Sequence, residues 1–381
     1  MNVKSPIRNV LATLGSLKIT VGGLFLLLVL TVWGTLYQVD HGLYLAQERF
    51  YQSTVFWIGG IFPFPGAQLV MAVLFVNLIA SMLFLTFFRG RVIWSLLITH
   101  FGLLMMLAAG AITFYSGKNA QLTLEEGAGS NVAISFGEWE LAIMPPSSSR
   151  SRQTVNAVNT QALRTGRTIA LPNRGQSIRI ETYMRNSQAH RDPIENRPQN
   201  SSGFTHLEAV ALNKEPGQDL PGVIFTLLEN GTEVGRYLLW GGDPGPTPLQ
   251  PGPEAWIGLR RLRVPLPATI KLIDFRREMY QGSGIAKSYA SLVMVEPGNE
   301  NERQVLISMN KPLRLQDFTF YQSSFSSAPG GREISTFSVV QNYGRLMPYI
   351  ATGATVVGMM IYFTAMLFAR LHRKPTGGTP S

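Results

Sequence analysis

Four long apolar stretches identify this chain as a membrane protein. They cover residues 19–39, 68–88, 92–114 and about 346–369, and none contains Lys, Arg, Asp or Glu. Since an α-helix rises about 1.5 Å per residue, each stretch reaches about 30 Å and can cross the hydrocarbon core of a bilayer. The sequence therefore predicts four transmembrane helices. We interpret the first as an uncleaved signal anchor, because it is too long for a signal peptide and no A-x-A-like site follows it.

Basic residues flank the four stretches on one predicted side. Residues 1–18, the short turn at 89–91 and the tail after Ala369 contain Lys and Arg but no Asp or Glu. By the positive-inside rule, both termini and this turn are cytoplasmic. The loop 40–67 and residues 115–345 then lie on the extracytoplasmic side, and the net charge of +10 reflects orientation in a membrane.

The loop between the first two stretches is rich in aromatic side chains. Such residues favour the membrane–water interface, which predicts an interfacial loop or half-helix. The alternative is one wall of a ligand pocket that faces outward. The aromatic residues are Tyr51, Phe56, Trp57, Phe62 and Phe64.

Residues 115–345 have the alternating apolar pattern of β-strands and predict a sandwich or barrel-like domain. Asn230-Gly231 predicts a type I′ hairpin, and the break at Phe136-Gly137 also suggests a hairpin turn. The polar segment 146–205 predicts long loops. Segments with strand character are 131–144, 177–184, 221–240, 268–275, 288–295 and 303–310.

Together these patterns predict three parts along the chain. Residues 1–114 form a membrane region with three helices. Residues 115–345 form an extracytoplasmic β-rich domain, and residues 346–381 hold the fourth helix and a basic cytoplasmic tail. The expected fold class is therefore a four-helix membrane region with a β domain inserted between helices three and four.

Several classes of chemistry have no support in the sequence. The chain has no cysteine, which excludes disulfides, thiolate metal sites and covalent haem attachment to this chain. It has no HExxH, G-x-S-x-G or Walker A motif and no basic nucleic-acid reading motif. Gly282-Ser283-Gly284 is interpreted as a turn. We therefore predict no catalytic residue and no nucleic-acid partner.

The five histidines differ in their surroundings. His190 and His206 lie in polar segments and are predicted to be solvated, and His372 lies in the basic tail. His41 stands at the outer end of the first stretch and is a weak ligand candidate. His100 lies inside an apolar stretch, where an ionisable group is costly and usually functional. It is either a structural hydrogen-bonding residue or a ligand or proton carrier, and imidazole is the usual protein ligand of haem iron.

Several segments resemble the ResB family of system II cytochrome c biogenesis proteins. The membrane segments at 14–36, around Asn77 and at 99–114 are similar to the family's first three spans. KLIDFRREMYQGSGIAKSYASLVMV at 271–295 resembles its D-F-x(n)-Y-x-G-x(n)-Y-x-S pattern. ISMNKPLRLQDFTFYQSSF at 307–325 is the most specific likeness, with N-x-P-L followed by F-Y-Q-S-S.

This resemblance implies a role in haem handling at the bacterial inner (cytoplasmic) membrane. It implies that haem b, bound transiently, crosses the membrane and reaches apocytochrome c outside, and that His100 is an axial ligand of the haem iron. It further implies a multispanning partner with a tryptophan-rich haem-binding segment, since this chain has no such segment. The chain would then be one subunit of a cytochrome c synthase complex and no enzyme on its own.

Two other functions compete with haem transfer. The first is a structural assembly factor whose β domain holds apocytochrome c or a partner protein without binding haem. The second is a haem b electron-transfer subunit, which is disfavoured because His100 is the single histidine within the apolar stretches. A haem spectrum separates the first of these from haem transfer.

Overall fold

The chain folds into two compact units. The helical unit comprises Met1–Gly117 and Asn342–Ser381, and the β domain comprises Lys118–Gln341. The predicted turn at 89–91, the tail after residue 372 and positions 283–284 lie outside the described residues. The computed structural model describes residues 4–88, 93–144, 155–171, 175–192, 196–249, 255–280, 282, 286–298, 301–328 and 330–372.

Four helical segments in the described part of the chain are long and apolar enough to cross a membrane, which confirms the prediction of four spans. The ends of these helices lie within a few residues of the ends of the predicted stretches, because the observed helices and the predicted stretches both end where the sequence ceases to be apolar. A short helix that the sequence did not suggest precedes the first span. The helices are α1 Lys4–Leu14, α2 Leu17–His41, α3 Leu43–Ala46, α4 Ala67–Phe87, α5 Trp94–Ser116 and α6 Met347–Leu371.

The break between α1 and α2 is held by Asn77 of α4, whose side chain is 3% exposed. Its Nδ2 donates to the carbonyl oxygens of Leu14 at 2.6 Å and Ser16 at 3.1 Å. Its Oδ1 accepts a hydrogen bond from Thr20 Oγ1 at 2.8 Å. Carbonyls released at a helix break need such partners, because water is scarce in a membrane. One amide therefore fixes the angle at which the first span begins.

Helices α5 and α6 pack through small residues. A Cβ atom added to Gly102 would lie 2.7 Å from the carbonyl oxygen of Ala351, and one added to Gly358 would lie 2.5 Å from Thr99 Oγ1. Such close backbone approach is typical of membrane helices, where small residues allow tight van der Waals packing. We call this contact the α5–α6 seam.

The segment after α2 folds into more structure than the sequence predicted. A π-helical turn, Gln47–Tyr51, follows α3, and a hairpin of β1 (Val55–Ile58) and β2 (Phe62–Pro65) follows this turn. The predicted interfacial loop or half-helix is thus a compact hairpin. The aromatic content of the segment does not distinguish a loop, a half-helix and a hairpin, because each of these can place aromatic rings against an apolar surface.

The β domain contains a ten-stranded sheet in the order β15-β14-β13-β4-β3-β18-β17-β16, with β12 beside β13 and β5 beside β4. This sheet curls into a nearly closed barrel, which confirms the predicted barrel-like fold. A second sheet has the order β11-β10-β7-β6, and β8 and β9 form a separate pair. The strands are β3 Lys118–Glu125, β4 Gly129–Met144, β5 Asn156–Asn159, β6 Thr168–Ala170, β7 Gln176–Met184, β8 Ser187–His190, β9 His206–Ala209, β10 Gly222–Glu229, β11 Thr232–Trp240, β12 Thr247–Pro248, β13 Trp256–Met279, β14 Ala286–Pro297, β15 Arg303–Ser308, β16 Leu313–Leu315, β17 Phe318–Ser327 and β18 Glu333–Gln341.

Two hydrophobic cores share the long strands β4 and β13. Leu141 and Ile257 belong to the core beneath the four-stranded sheet. Ala133 and Ile270, from the other halves of the same strands, belong to the barrel core. All four are fully buried. Within 146–205, β7 confirms the strand predicted at 177–184, but the described parts also contain the short strands β5, β6 and β8, so the prediction of long loops there is only partly correct.

The predicted hairpin turn at Phe136-Gly137 is wrong. Strand β4 continues through it, and a bulge places residues 135–138 opposite the single residue Leu262 of β13. Arg261 Nη1 donates to the carbonyl oxygen of Phe136 at 3.0 Å and holds the bulge against the partner strand. Alternation within one strand cannot reveal this, because a bulge is defined by the continuous strand opposite it.

Two other local features bear on later arguments. Asn230 and Gly231 have φ angles of 50° and 85°, as a type I′ turn requires, and they connect β10 and β11. The first and last strands of the β domain are neighbours, with Lys118 of β3 paired directly to Gln341 of β18. The chain therefore enters and leaves the β domain at one place.

Candidate functional site

His100 lies in the second turn of α5 and is half-buried. Its Nδ1 is 2.8 Å from the carbonyl oxygen of Leu96. A carbonyl can only accept a hydrogen bond, so this contact requires the proton on Nδ1 and leaves the lone pair of the neutral ring on Nε2. Among the described residues, this is the hydrogen bond that the His100 ring forms, and it leaves Nε2 without one. The ring is therefore oriented as a metal-ligating histidine usually is, by a hydrogen bond at its other nitrogen.

The same local bond occurs at two other histidines. His41 Nδ1 lies 3.2 Å from the carbonyl of Tyr37, and His372 Nδ1 lies 2.9 Å from that of Phe368. The bond alone therefore marks no function. His41 and His372 are exposed at helix ends, whereas His100 lies within an apolar span. The position of His100 within an apolar span distinguishes it, and His41 and His372 can serve as controls for the local hydrogen bond.

His100 lies beside the α5–α6 seam. Successive residues of an α-helix are rotated by about 100° about the helix axis. Since Thr99 faces Gly358, the His100 side chain lies on a different face of α5. This position explains why the imidazole is only half-buried. The described residues leave part of this polar ring uncovered within an apolar span.

The aromatic residues of the loop after α2 form a small core with the end of that helix. Trp33 packs against Phe50, Phe56 and Phe64 with ring centroids 5.3, 5.6 and 5.8 Å apart. Phe50 is fully buried. Since the rings fill the space between one another, they form a packed core more than the wall of an open pocket.

Two other predicted residues of this loop face away from that core. Trp57 is 57% exposed and Phe62 is 68% exposed. Exposed rings of this kind suit a membrane–water interface. The structure therefore separates the aromatic set into a packed group and an interfacial group.

The motif segments of the β domain converge on one buried polar network. Ser291 Oγ donates to Gln322 Oε1 at 2.7 Å, and Gln322 Nε2 donates to Ser335 Oγ at 3.0 Å. The hydroxyls of Ser291 and Ser335 are 2.9 Å apart, and both side chains are fully buried. Each polar group finds partners, as a low-dielectric interior requires. The glutamine of F-Y-Q-S-S and the serine of Y-x-S therefore form one unit across β17, β14 and β18.

Three aromatic residues of the same motifs stack beside this network. Phe325 lies 5.2 Å from Phe275 and 5.0 Å from Tyr289, between ring centroids. The Arg277 guanidinium lies 5.6 Å from the Phe325 ring. The D-F, Y-x-S and F-Y-Q-S-S elements thus meet in space, although almost fifty residues of sequence separate the first from the last.

The prediction that His190 and His206 are solvated is wrong. They form a direct cross-strand pair between β8 and β9, and their rings stack with centroids 4.7 Å apart and 11° between planes. Both side chains are half-buried. Sequence reasoning missed this pair, because fifteen intervening residues hide a contact that only the strand register creates.

Residues 257–347 match the family model described as the ResB-like family. This segment is ResB-like. It begins at the second residue of β13 and ends at the first residue of α6, so it contains the whole convergent motif cluster. The resemblance predicted from the sequence is confirmed for this segment, and at the level of the family it supports involvement in cytochrome c biogenesis. No curated protein matches the chain.

The ResB-like segment does not include the membrane residues. The resemblance of residues 14–36 and 99–114 lies outside it, so the family role of His100 stays a prediction. Within the segment, the structure gives Ser291, Gln322 and Phe325 a packing role that accounts for their spacing.

Proposed function

We propose that this chain is a haem-handling subunit of a cytochrome c maturation complex. It would help to move haem across the membrane and present it to apocytochrome c on the extracytoplasmic side. The ResB-like segment supports the pathway. The four apolar helices support action within a membrane.

The orientation of His100 is the observation that carries the haem part of the proposal. Its Nδ1 is engaged by Leu96 O, which leaves Nε2 as the electron-pair donor. Neutral imidazole is the usual axial ligand of haem iron, so the residue fits one ligand position. His100 lies about 9 Å from the start of α5 at 1.5 Å per residue, which is within the hydrocarbon layer. Haem is the cargo, and the chain's contribution is to hold its iron at this depth.

The same geometry favours a second protein in the complex. One imidazole fills one axial position, and the part of the chain that the structure describes places no second histidine next to His100. The exposed part of the His100 side chain is also available to a neighbour. We propose that a multispanning partner with a tryptophan-rich segment supplies the other ligand and covers this face of α5.

Substitution of His100 in the co-expressed complex tests the haem proposal. His100→Ala should insert normally, because alanine is well tolerated in an apolar helix. The purified complex should lose most of its Soret absorbance, and the yield of holocytochrome from a CxxCH client should fall. Added imidazole should restore part of both signals by filling the vacant ligand position. His372→Ala removes a histidine with the same local bond and should change neither signal.

Two outcomes would contradict this function. A His100→Ala complex with wild-type haem content and spectrum would make His100 a structural residue and favour the assembly-factor alternative. Full cytochrome maturation by this chain without a partner would contradict the two-protein arrangement.

The proposed direction of transfer requires the β domain to lie outside the cytoplasm. Reporter fusions at position 250 should be active on the extracytoplasmic side, and fusions after Lys374 should be active in the cytoplasm. This expectation follows from the basic flanks of the apolar stretches. A cytoplasmic signal from the fusion at position 250 would refute the topology.

A further inference from the structure

We propose that His190, Asp192 and His206 bind a divalent transition-metal ion in the β domain. One ligand atom from each of these residues lies within 4.8 Å of the others. Imidazole nitrogens combined with a carboxylate oxygen form a donor set that Zn²⁺ and its neighbours in the first transition row prefer. The site is separate from His100 and does not depend on the proposed haem function.

Strand pairing creates the site. His190 is the last residue of β8 and His206 is the first residue of β9, and the antiparallel register places them directly opposite each other. Cross-strand neighbours have Cβ atoms about 5 Å apart, which allows two imidazoles to reach a common ion. Asp192 follows His190 by two residues and approaches the same position.

Unpartnered nitrogen atoms provide the second observation. His190 Nε2 and His206 Nδ1 are both buried from solvent, and neither has a hydrogen-bond partner among the described residues. A buried polar atom without a partner is unfavourable, so each such atom needs an explanation. The rings are stacked, with 11° between their planes, so a shared metal ion would use both lone pairs after rotation of the two side chains turns them toward one point.

Two carboxylates lie close to the histidine pair, while the guanidinium of the intervening Arg191 packs on the Phe204 ring at 4.6 Å. Glu208 Oε2 lies 3.5 Å from His190 Nε2, within ion-pair distance, and its side chain is largely exposed. Together with Asp192, it gives the pair of histidines two carboxylates. A tetrahedral zinc site places its ligand atoms roughly 3.3 Å apart, so atoms that lie within 4.8 Å of one another need to approach by at most about 1.5 Å through side-chain rotation.

A metal ion would also stabilise a weak part of the fold. The β8–β9 ladder has only two strands, and isolated two-stranded sheets are marginally stable. An ion held by residues 190 and 206 would bind the folded form and not the unfolded chain, where these residues are not held together, so its binding free energy would add to the stability of the ladder.

Calorimetric titration of the full-length protein with Zn²⁺ tests the site. The protein should be purified in detergent with a tag that contains no histidine and freed of metal with a chelator. We expect saturable binding of about one Zn²⁺ per chain. His190→Ala and His206→Ala should each weaken binding by at least about tenfold, and His372→Ala should bind like the wild type.

Two further measurements keep the test decisive. Asp192→Asn changes an exposed side chain, so it should fold normally and still weaken binding. Titration with Co²⁺ should give visible absorption bands in the wild type and in His372→Ala but not in His206→Ala. Equal Zn²⁺ binding by His206→Ala and His372→Ala, or the lack of saturable binding by the wild type, would overturn the proposal.

Discussion

Replacing Asn77 by leucine should destabilise the helical unit through the loss of hydrogen bonds alone. Leucine is similar in volume, so it leaves little cavity at this 3% exposed position. The substitution removes the donor to Leu14 O and Ser16 O and the acceptor of Thr20 Oγ1. The carbonyls at the α1–α2 break then face an apolar side chain, with little water to replace the amide.

The expected cost follows from these three contacts. Hydrogen bonds between membrane helices contribute about 0.6 kcal/mol each on average and at most about 1.7 kcal/mol. Three such bonds give about 2 kcal/mol for Asn77→Leu, with an upper limit of about 5 kcal/mol. Thr20→Val alone should lower the free energy of unfolding by about 0.6 kcal/mol. In the double variant it should add little to the effect of Asn77→Leu, because that substitution has already removed the hydrogen bond between Thr20 and Asn77.

Unfolding of the detergent-solubilised protein by increasing SDS, followed by circular dichroism, measures these differences. Thr86→Val is the matched control, since Thr86 lies on the same helix and, among the described residues, its hydroxyl bonds to the carbonyl of Met82 within that helix. A control effect near zero together with a loss of about 2 kcal/mol for Asn77→Leu would support the reasoning. Equal stability of Asn77→Leu and the wild type, or fully additive effects of Asn77→Leu and Thr20→Val, would refute it.

Two other perturbations test the seam and the β domain. Gly358→Ala should weaken the α5–α6 contact by about 1–3 kcal/mol in the same SDS assay, because the added Cβ would lie 2.5 Å from Thr99 Oγ1. Gly353→Ala is the control and should be neutral, since a Cβ added there meets no atom within 4 Å. Burial alone would raise the pKa of Glu181, but hydrogen bonds from Arg236 and Thr226 lower it below the ordinary value of 4.5. This stabilisation is complete above pH 4.5 and is lost as the pH falls through the lowered pKa, so the difference in melting temperature between the wild type and Glu181→Gln should shrink on acidification. A constant difference across that pH range would contradict this assignment.

The sequence predicted the membrane spans and the barrel-like domain because each depends on local patterns. An uncharged run of twenty residues is enough to identify a span, and Asn230-Gly231 is enough to identify a turn. The sequence predicts a hairpin turn at Phe136 where the structure has a bulge, because the form of a bulge depends on the strand opposite it. The sequence predicts correctly the features that depend on residues close together along the chain, and not the feature that depends on a distant strand.

The candidate sites follow the same division. His100 could be selected from the sequence, since burial in an apolar run is a local property. The His190–His206 pair could not, since it depends on the register of β8 and β9. In the sequence, Asn77 marks a segment with family likeness, and its polar character within an apolar helix is the available signal of a hydrogen-bonding role. Gln322 offered no such signal, because its serine partners come from two other strands.

The pairing of Lys118 with Gln341 makes the β domain an exchangeable insertion. Paired residues on adjacent strands have Cα atoms only about 5 Å apart, so a linker of a few residues could join the flanking chain if the domain were removed. A short linker has a low entropy of closure, and α5 and α6 would become an ordinary helical hairpin that keeps its glycine seam. The membrane part of this architecture can therefore acquire, lose or replace its β domain without a change in the path of its helices.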